Sequence, residues 1–488
     1  MDEPVDFEQA KARKKRSVPN SAEQLMGLLL TDMGNAERFV RRFRGKVRYC
    51  HGRKKWLIWD KTRWAWDTNG RIERMAKMVV RDLYREAASN RDAGERYQIA
   101  QHAKASEKTA AVANMLRAAQ VEEGIPVALE DLDADPMLLN CLNGTIDLST
   151  AKLRPHNQAD LITKVCPCNF DPAAVSGVWT KFLADATNGD SDLQRYIQRA
   201  AGYAIQGEAS ERALFFTFGP PGSAKSTLID ALGAMLGDYH VASSPDTWLV
   251  QAQTGGNRGD IVRLAGARLV TAVEFKQGAR FDEALIKAVT GGDEVTAAAK
   301  YESEVTIRPT FTLWFAANDS PTIRSDDDGM WARMRRIPFD HAIPKDQQDK
   351  SIKGRLKHDA GCRSAVLAWA VAGCLLWQIE GLQSSAAVEK SNKEYQAEMD
   401  PVGDFFDDNL VFEQGAAEIA QGEVRKLYGA WAKEEGVARP LGRKQLQKAV
   451  SDRGGRYVKV LGKRMVKGVR IKGEWEQSPE QVSLGYGA

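Results

Sequence analysis

The run Gly219-Pro220-Pro221-Gly222-Ser223-Ala224-Lys225-Ser226-Thr227 holds the residue types that bind a polyphosphate. Glycines free a backbone to wrap anionic oxygens with its N–H groups, and a helix starting at the end of the loop adds the partial positive charge of its dipole. In this pattern Lys225 contacts the β and γ phosphates of ATP and the Ser226 hydroxyl ligates Mg²⁺. Ala224 departs from the usual pattern, standing where a glycine normally precedes the lysine. A methyl group there is tolerable only if φ stays negative.

Further groups stand where they would meet such a ligand. The buried strand expected over residues 268–274 ends on Glu274, and open α/β sheets place ligands at the carboxyl ends of their strands. Glu274 would hold Mg²⁺ through water or polarise the attacking water; otherwise it is a solvated strand end. A second apolar run, residues 311–317, ends at Asn318, which would orient the hydrolytic water or merely start the turn Asn318-Asp319-Ser320-Pro321. Arg333, Arg335 and Arg336 enter another strand, where one would reach a neighbouring subunit's γ-phosphate or remain a surface charge. The acidic triplets at 131–133 and 133–135 read as loop acidity, and Cys166-Pro167-Cys168 lacks the second ligand pair of a metal site.

The scaffold for these groups is legible around them. A strand over 214–218 runs directly into the loop and then into a helix over 228–236, the order that phosphate binding requires. Strand and helix alternate to about residue 339, which predicts a parallel sheet covered by helices, hence an α/β core. Upstream, residues 48–50, 56–59 and 63–66 read as a small β-meander whose tryptophans either stack bases or, the favoured reading, fill the core of the sheet. Helical patterns cover 72–120, 178–204 and 347–378, and the charged stretch 387–399 before Pro401 reads as a linker.

A chain of 488 residues is too long for one hydrophobic core, and 43% hydrophobic with 27% charged residues excludes a disordered or fibrous protein. The apolar run 365–377 has the length of a buried core helix rather than a membrane span, so no membrane partner is expected. The basic cluster at 11–16 is not followed by the apolar stretch of a signal peptide, and six cysteines suit a reducing compartment. The net charge of +4 says little, but its distribution says more: between 439 and 472 a dozen basic residues face only Asp452, which suits a polyanion. Helices over 424–435 and 443–452 precede strands over 456–461 and 465–471, with Gly462-Lys463-Arg464 between the strands. Leu446, Ala449 and Val450 would pack inward, leaving Arg443, Lys444, Gln447 and Lys448 outward to meet a DNA groove or backbone, or to form a solvated basic face.

The order of these elements resembles superfamily 3 helicases, particularly the helicase half of the phage and plasmid primase-helicase family related to poxvirus nucleoside triphosphatases. The stretches that carry the resemblance are Leu139-Asn140-Cys141-Leu142-Asn143-Gly144-Thr145-Ile146-Asp147-Leu148, residues 260–270, Glu283-Ala284-Leu285-Ile286-Lys287, Thr290-Gly291-Gly292-Asp293 and Trp314-Phe315-Ala316-Ala317-Asn318. It runs from about residue 35 to the C-terminus. The resemblance implies an AAA+ type P-loop NTPase core in a ring, usually a hexamer, with an α+β N-terminal domain and a C-terminal winged-helix domain. On that pattern the divisions are a flexible basic tail over 1–20, the N-terminal domain over 21–165, a helical collar over 166–208, the ATPase core over 209–345, a helical segment and linker over 346–399 and the winged helix over 400–488.

Asn318 then matches the polar sensor and Arg333 the arginine finger. A β-hairpin with arms over 295–300 and 304–308 would project into the ring's channel and grip DNA, with Lys300 and Tyr301 near its tip. Lys463 and Arg464 would sit on the wing. Relatives often carry a second acid two positions after the first, where this chain has Lys276, so Glu274 serves both metal and water or another carboxylate joins it. The implied activity is an ATP-dependent DNA helicase, 3′ to 5′, acting on single-stranded and forked DNA for a phage, plasmid or integrated element in the cytoplasm of a bacterial host. The alternatives are a DNA-binding AAA+ ATPase that loads or remodels replication proteins without unwinding, and a nucleotide-binding scaffold with dead chemistry. No primer synthesis is expected, which leaves a separate primase or replication initiator as a partner.

Overall fold

The computed structural model describes residues 28–251, 258–297, 305–323, 327–344, 348–399, 401–413, 415, 418–435 and 440–473; the basic tail lies outside them. Short runs rich in aromatic and β-branched residues, separated by turns, give two antiparallel meanders in the N-terminal half. The first is β1 (Val47–Cys50), β2 (Lys55–Trp59) and β3 (Trp64–Trp66), and the second is β4 (Leu138–Cys141), β5 (Gly144–Asp147) and β6 (Lys152–Arg154). Trp56 and Trp64 are buried, with Trp56 against Phe39 and Tyr49, so these rings fill the core rather than offer a stacking platform. Asp133 accepts from the Thr163 amide and hydroxyl and pairs with Lys164, so the residue that the two acidic triplets share is tied into the loop structure.

Unbroken apolar runs, not alternation, make the central strands, as expected where both faces of a parallel sheet are covered. β7 (Leu214–Phe218), β8 (His240–Ala242), β9 (Leu269–Val273), β12 (Thr312–Ala317) and β13 (Met334–Pro338) form a parallel sheet in the order β13-β7-β12-β9-β8. Successive side chains of β7 go to opposite faces. Phe215 enters one core with the helices Lys225–Leu236, Ser191–Ile205 and Ala360–Glu380, while Leu214 and Phe216 enter the other with Trp248, Ile286 and Val289. The helical stretch expected over 178–204 is two helices, Gly177–Ala186 and Ser191–Ile205, parted where Asn188 and Gly189 take positive φ.

Among the described residues, one helix, Ala360–Glu380, is long and apolar enough to cross a membrane. It packs against the helix Ser191–Ile205 so closely that a Cβ on Gly202 would lie 2.1 Å from the Gly373 backbone, and one on Gly373 would lie 2.1 Å from the Gln198 carbonyl. The charged, helix-prone segment expected as a linker forms the helix Ala386–Glu398, and it is packed, with Val388 and Tyr395 fully buried. Its charged surface conceals a narrow packed stripe one heptad long.

Between β9 and β12 stands an antiparallel pair, β10 (Val295–Ala297) and β11 (Val305–Ile307), in the register Val295↔Ile307. These are the expected hairpin arms; Lys300 and Tyr301 lie outside the described residues. The C-terminal unit contains the helices Pro401–Asn409, Gln421–Glu434 and Arg443–Asp452, with β14 (Leu410–Phe412), β15 (Ile419–Ala420), β16 (Arg456–Val460), β17 (Lys463–Lys467) and β18 (Val469–Ile471). β15, β17 and β16 form one small sheet and β14 pairs with β18.

Candidate nucleotide site and basic face

The site is built where the sheet order reverses direction. From β7 the chain crosses to the far edge at β8 and then fills inward through β9 and β12, so the carboxyl ends of β7, β12 and β9 lie side by side. Such a switch point is where open α/β sheets bind ligands. A cleft of about 370 Å³ opens there, lined by Pro221 to Thr227, Glu274, Phe275, Ala316, Ala317, Asn318 and Asp319. The loop, Glu274 and Asn318, which the sequence singles out separately, therefore share one cleft.

Local geometry explains the loop's composition. Gly219 has φ +151°, and a Cβ there would lie 2.1 Å from the Phe339 carbonyl oxygen, so no side chain fits. Gly222 takes φ +83°. Ala224 takes φ +70°, against the expectation of a negative value: it caps the helix Lys225–Leu236 from the left-handed region. In that conformation its carbonyl accepts from the amides of Thr227 and Leu228 at 3.0 and 3.1 Å, and the local cost is about 1–2 kcal/mol. The first N–H groups of a helix have no acceptor within it, and Lys225, Ser226 and Thr227, which open this one, line the cleft. Pro220 and Pro221 are the first residues after Gly219, with the Pro220 carbonyl accepting from the Ser223 hydroxyl at 2.8 Å.

Lys225 is buried, and its ammonium donates to the carbonyls of Gly219 (2.6 Å) and Pro220 (2.7 Å) and to the Ser223 hydroxyl (3.0 Å). Burial lowers its pKa below the ordinary lysine value. The loop thus supplies three neutral oxygens that hold the cation in place, and a phosphate would meet it already desolvated. Ser226 and Thr227 follow on the first helical turn, with the Ser226 side chain exposed.

Glu274 also takes a left-handed backbone, φ +64°, directly after β9, and its amide donates to the Ala316 carbonyl at 3.0 Å. A non-glycine residue held there is strained, and such positions concentrate at functional sites. The bond draws Glu274 beside the end of β12, where Asn318 and Asp319 are exposed on the cleft. Phe275 closes the floor, packed against Phe216, Phe281 and Phe315. Lys276 turns away and pairs with Asp246 at 3.2 Å. The carboxylate that joins Glu274 in the cleft is Asp319, expected from the sequence only as part of a turn; its one faint signal is its place two residues past the end of a buried strand. Among the described residues no cluster of three His, Cys, Asp or Glu side chains forms a metal cage. The hydroxyl and carboxylate oxygens present fit Mg²⁺, which takes few protein ligands and keeps water and phosphate oxygens.

Arg333 does not reach this cleft. It precedes β13 at the opposite end from the loop, since Met334 pairs with Leu214 and Pro338 with Phe218, a strand length of about 16 Å. Its guanidinium donates to the Thr290 hydroxyl (3.0 Å) and the Gly329 carbonyl (2.7 Å).

On the helix Arg443–Asp452, Leu446 and Val450 are buried while Arg443, Lys444 and Lys448 are exposed. Lys463 and Arg464 are not at the tip of the adjacent hairpin but on β17, paired with Val460 and Lys459. The turn is Leu461-Gly462, with φ +47° and +81°, a two-residue reversal of the kind that matches strand twist. Leu461 is 100% exposed. Gln421, Gln447, Tyr457, Val458, Lys459 and Arg464 line a groove of about 290 Å³ between helix and hairpin.

Comparison with known proteins bears on both halves. Residues 36–188 match the family model described as D5 N terminal like, and residues 217–336 match a family of unknown function, DUF5906. The chain is 26% identical over 306 residues to "Putative helicase L207/L206" of Acanthamoeba polyphaga mimivirus, covering 59% of this chain and 32% of that protein. It is 22% identical over 330 residues to "Putative primase C962R" of African swine fever virus (isolate Tick/Malawi/Lil 20-1/1983), covering 62% and 34%. The chain therefore spans about a third of the length of these curated relatives. Among solved structures, "The A form apo structure of NrS-1 C terminal region-CTR" aligns with TM-score 0.51 at 10% identity, covering 86% of this chain and 95% of that one. That likeness concerns the fold. The D5-like segment and the viral relatives support kinship with primase-helicases, and the central parallel sheet fits an α/β NTPase-like core.

Proposed function

We propose that this chain is an ATP-dependent DNA helicase of the superfamily 3 type, working as a ring, a hexamer by the resemblance, in replication of a mobile or viral element. The observation that carries the reading is the single cleft in which a phosphate loop with a buried lysine, two carboxylates and an asparagine meet at the ends of three adjacent strands. In it the loop amides and Lys225 bind the β and γ phosphates, Ser226 and a carboxylate hold Mg²⁺, Glu274 polarises the attacking water, and Asn318 orients it. Mg²⁺ bound there would supply charge neutralisation at the phosphates, with Ser226 and a cleft carboxylate as the residues that would hold it. By the resemblance Arg333, which lies at the far end of the sheet from its own cleft, acts on a neighbouring copy's γ-phosphate.

The C-terminal unit, read as a winged helix, presents Arg443, Lys444 and Lys448 with Lys463 and Arg464 to the phosphates of forked or single-stranded DNA. A primase or initiator acting in the host cytoplasm would supply the priming step. The test is phosphate release and strand displacement from a fork with a 3′ single-stranded tail. The wild type should require ATP and Mg²⁺ for displacement, and Glu274→Gln should keep nucleotide binding but lose about 10²–10⁴ in turnover. Displacement without ATP, or undiminished turnover in Glu274→Gln, would refute the assignment.

A further inference from the structure

The helix Ala386–Glu398 touches three segments that lead into the ATP site or carry Arg333: the end of β7, the Asn318 turn and the start of β13. Asn392 bridges the start of β13: its side-chain oxygen accepts from the Arg336 amide at 2.8 Å and its nitrogen donates to the Met334 carbonyl at 3.1 Å, directly after Arg333. Tyr395, fully buried, donates its hydroxyl to the Pro321 carbonyl at the end of the Asn318 turn. Its ring stands edge-on to Trp331 at 5.2 Å, just before Arg333, and lies stacked on Phe216 of β7 at 6.3 Å. Arg336, 2% exposed, is held between the rings of Phe218 (3.6 Å) and Tyr395 (5.0 Å), with its guanidinium 3.3 Å from Glu398. Phe218 is the residue from which the chain turns into Gly219.

At its C-terminal end the same helix leads through Met399 into Pro401–Asn409, whose Phe405 and Phe406 belong to the core of the basic C-terminal unit. A spacer between two units needs none of these bonds. A buried guanidinium between two aromatic faces is costly to desolvate, and its planar fork fixes direction as well as charge. The loop entry, the Asn318 turn and the Arg333 segment are therefore three ends of one packed lever.

We propose that this helix couples nucleic-acid occupancy of the C-terminal unit to ATP turnover, with Arg336, Asn392 and Tyr395 as positioning residues. The inference rests on the function proposed above. Packed elements move between discrete arrangements rather than deform continuously, so a rotation of the helix displaces the phosphate loop, Asn318 and Arg333 together.

The experiment compares wild type, Tyr395→Phe, which removes only the hydroxyl bond to Pro321, and Glu398→Gln, a mild change at a half-exposed residue. ATP turnover is measured against ATP concentration with and without a saturating single-stranded oligodeoxynucleotide, alongside oligonucleotide affinity by anisotropy and thermal melting. The expected result is that the oligonucleotide raises wild-type kcat. Tyr395→Phe should lower that rise by about 2- to 30-fold with KM for ATP and oligonucleotide affinity unchanged, and Glu398→Gln should act in the same direction. Full stimulation in both variants, or loss that merely follows oligonucleotide affinity or melting temperature, overturns the coupling. So does a wild type that hydrolyses ATP but ignores the oligonucleotide. If Tyr395→Phe fails to fold, Glu398→Gln decides. A wild type that does not hydrolyse ATP at all refutes the function proposed above, which separates the two failures.

Discussion

Ala224→Gly tests whether the phosphate loop is strained as its backbone indicates. Ala224 sits at φ +70° with its methyl partly buried against the core. Relief of the left-handed conformation should return about 1–2 kcal/mol. Against this, glycine raises unfolded-chain entropy at a cost of about 0.5–1 kcal/mol, and a half-buried methyl is worth about 0.4 kcal/mol, half of a fully buried one. The net change lies between about −0.5 and +1 kcal/mol. Ala234 offers the internal control, since it is half-buried in the same helix, Lys225–Leu236. Its replacement by glycine relieves nothing and should cost about 0.8–1.0 kcal/mol of helix propensity plus about 0.4 kcal/mol of methyl burial. Urea unfolding followed by tryptophan fluorescence should therefore separate the two variants by about 1–2 kcal/mol. Equal losses would mean that Ala224 is unstrained, and the explanation of the loop's geometry would fall.

Three other outcomes follow from named contacts. Arg333→Ala should bind nucleotide normally yet lose about 10³–10⁵ in turnover, and mixing it with inactive Glu274→Gln subunits should restore activity to shared sites; no recovery in mixed rings argues against a role in trans. Replacing Lys444 and Lys448 by alanine should weaken single-stranded DNA of every sequence alike and flatten the salt dependence by about 0.7 per lost phosphate contact, which titration at several salt concentrations measures. His240, hydrogen-bonded to the Thr271 hydroxyl at 2.8 Å beside Gly233, has its pKa lowered from 6.5 by burial, against a weaker opposing pull from Asp230. The unfolded chain therefore takes the proton first, and stability is lost as pH falls from 6.5 to the folded value; melting across that window should drop less in His240→Gln than in wild type.

The parts of the site that sequence made legible are those set by local chemistry. The phosphate loop is contiguous, and Glu274 and Asn318 were marked by lying at the ends of buried apolar strands, a position that parallel-sheet topology turns into a shared cleft. Asp319 is only faintly marked, because it lies two residues past the end of β12, inside a turn where an acid is commonplace. Leu461 carries no sequence mark of a turn, because a two-residue reversal ordinarily uses Asn-Gly or Asp-Gly. Ala224 differs for another reason: steric preference alone predicts negative φ, whereas the path of the loop delivers this residue to the helix start at φ +70°.

The helix Ala386–Glu398 shows the deeper difficulty. Periodicity finds a buried face through its apolar residues, and here those are chiefly Val388 and Tyr395. The remaining partners are polar, an asparagine edge-bonded to a strand and an arginine arriving from β13 to lie between two rings. A face built from such groups resembles a solvated one until the strand that supplies the other half of each bond is in place. Long-range polar packing is thus invisible to hydropathy at the same positions where it can transmit force, because a hydrogen bond or a sandwiched guanidinium fixes orientation in a way that an oily contact does not.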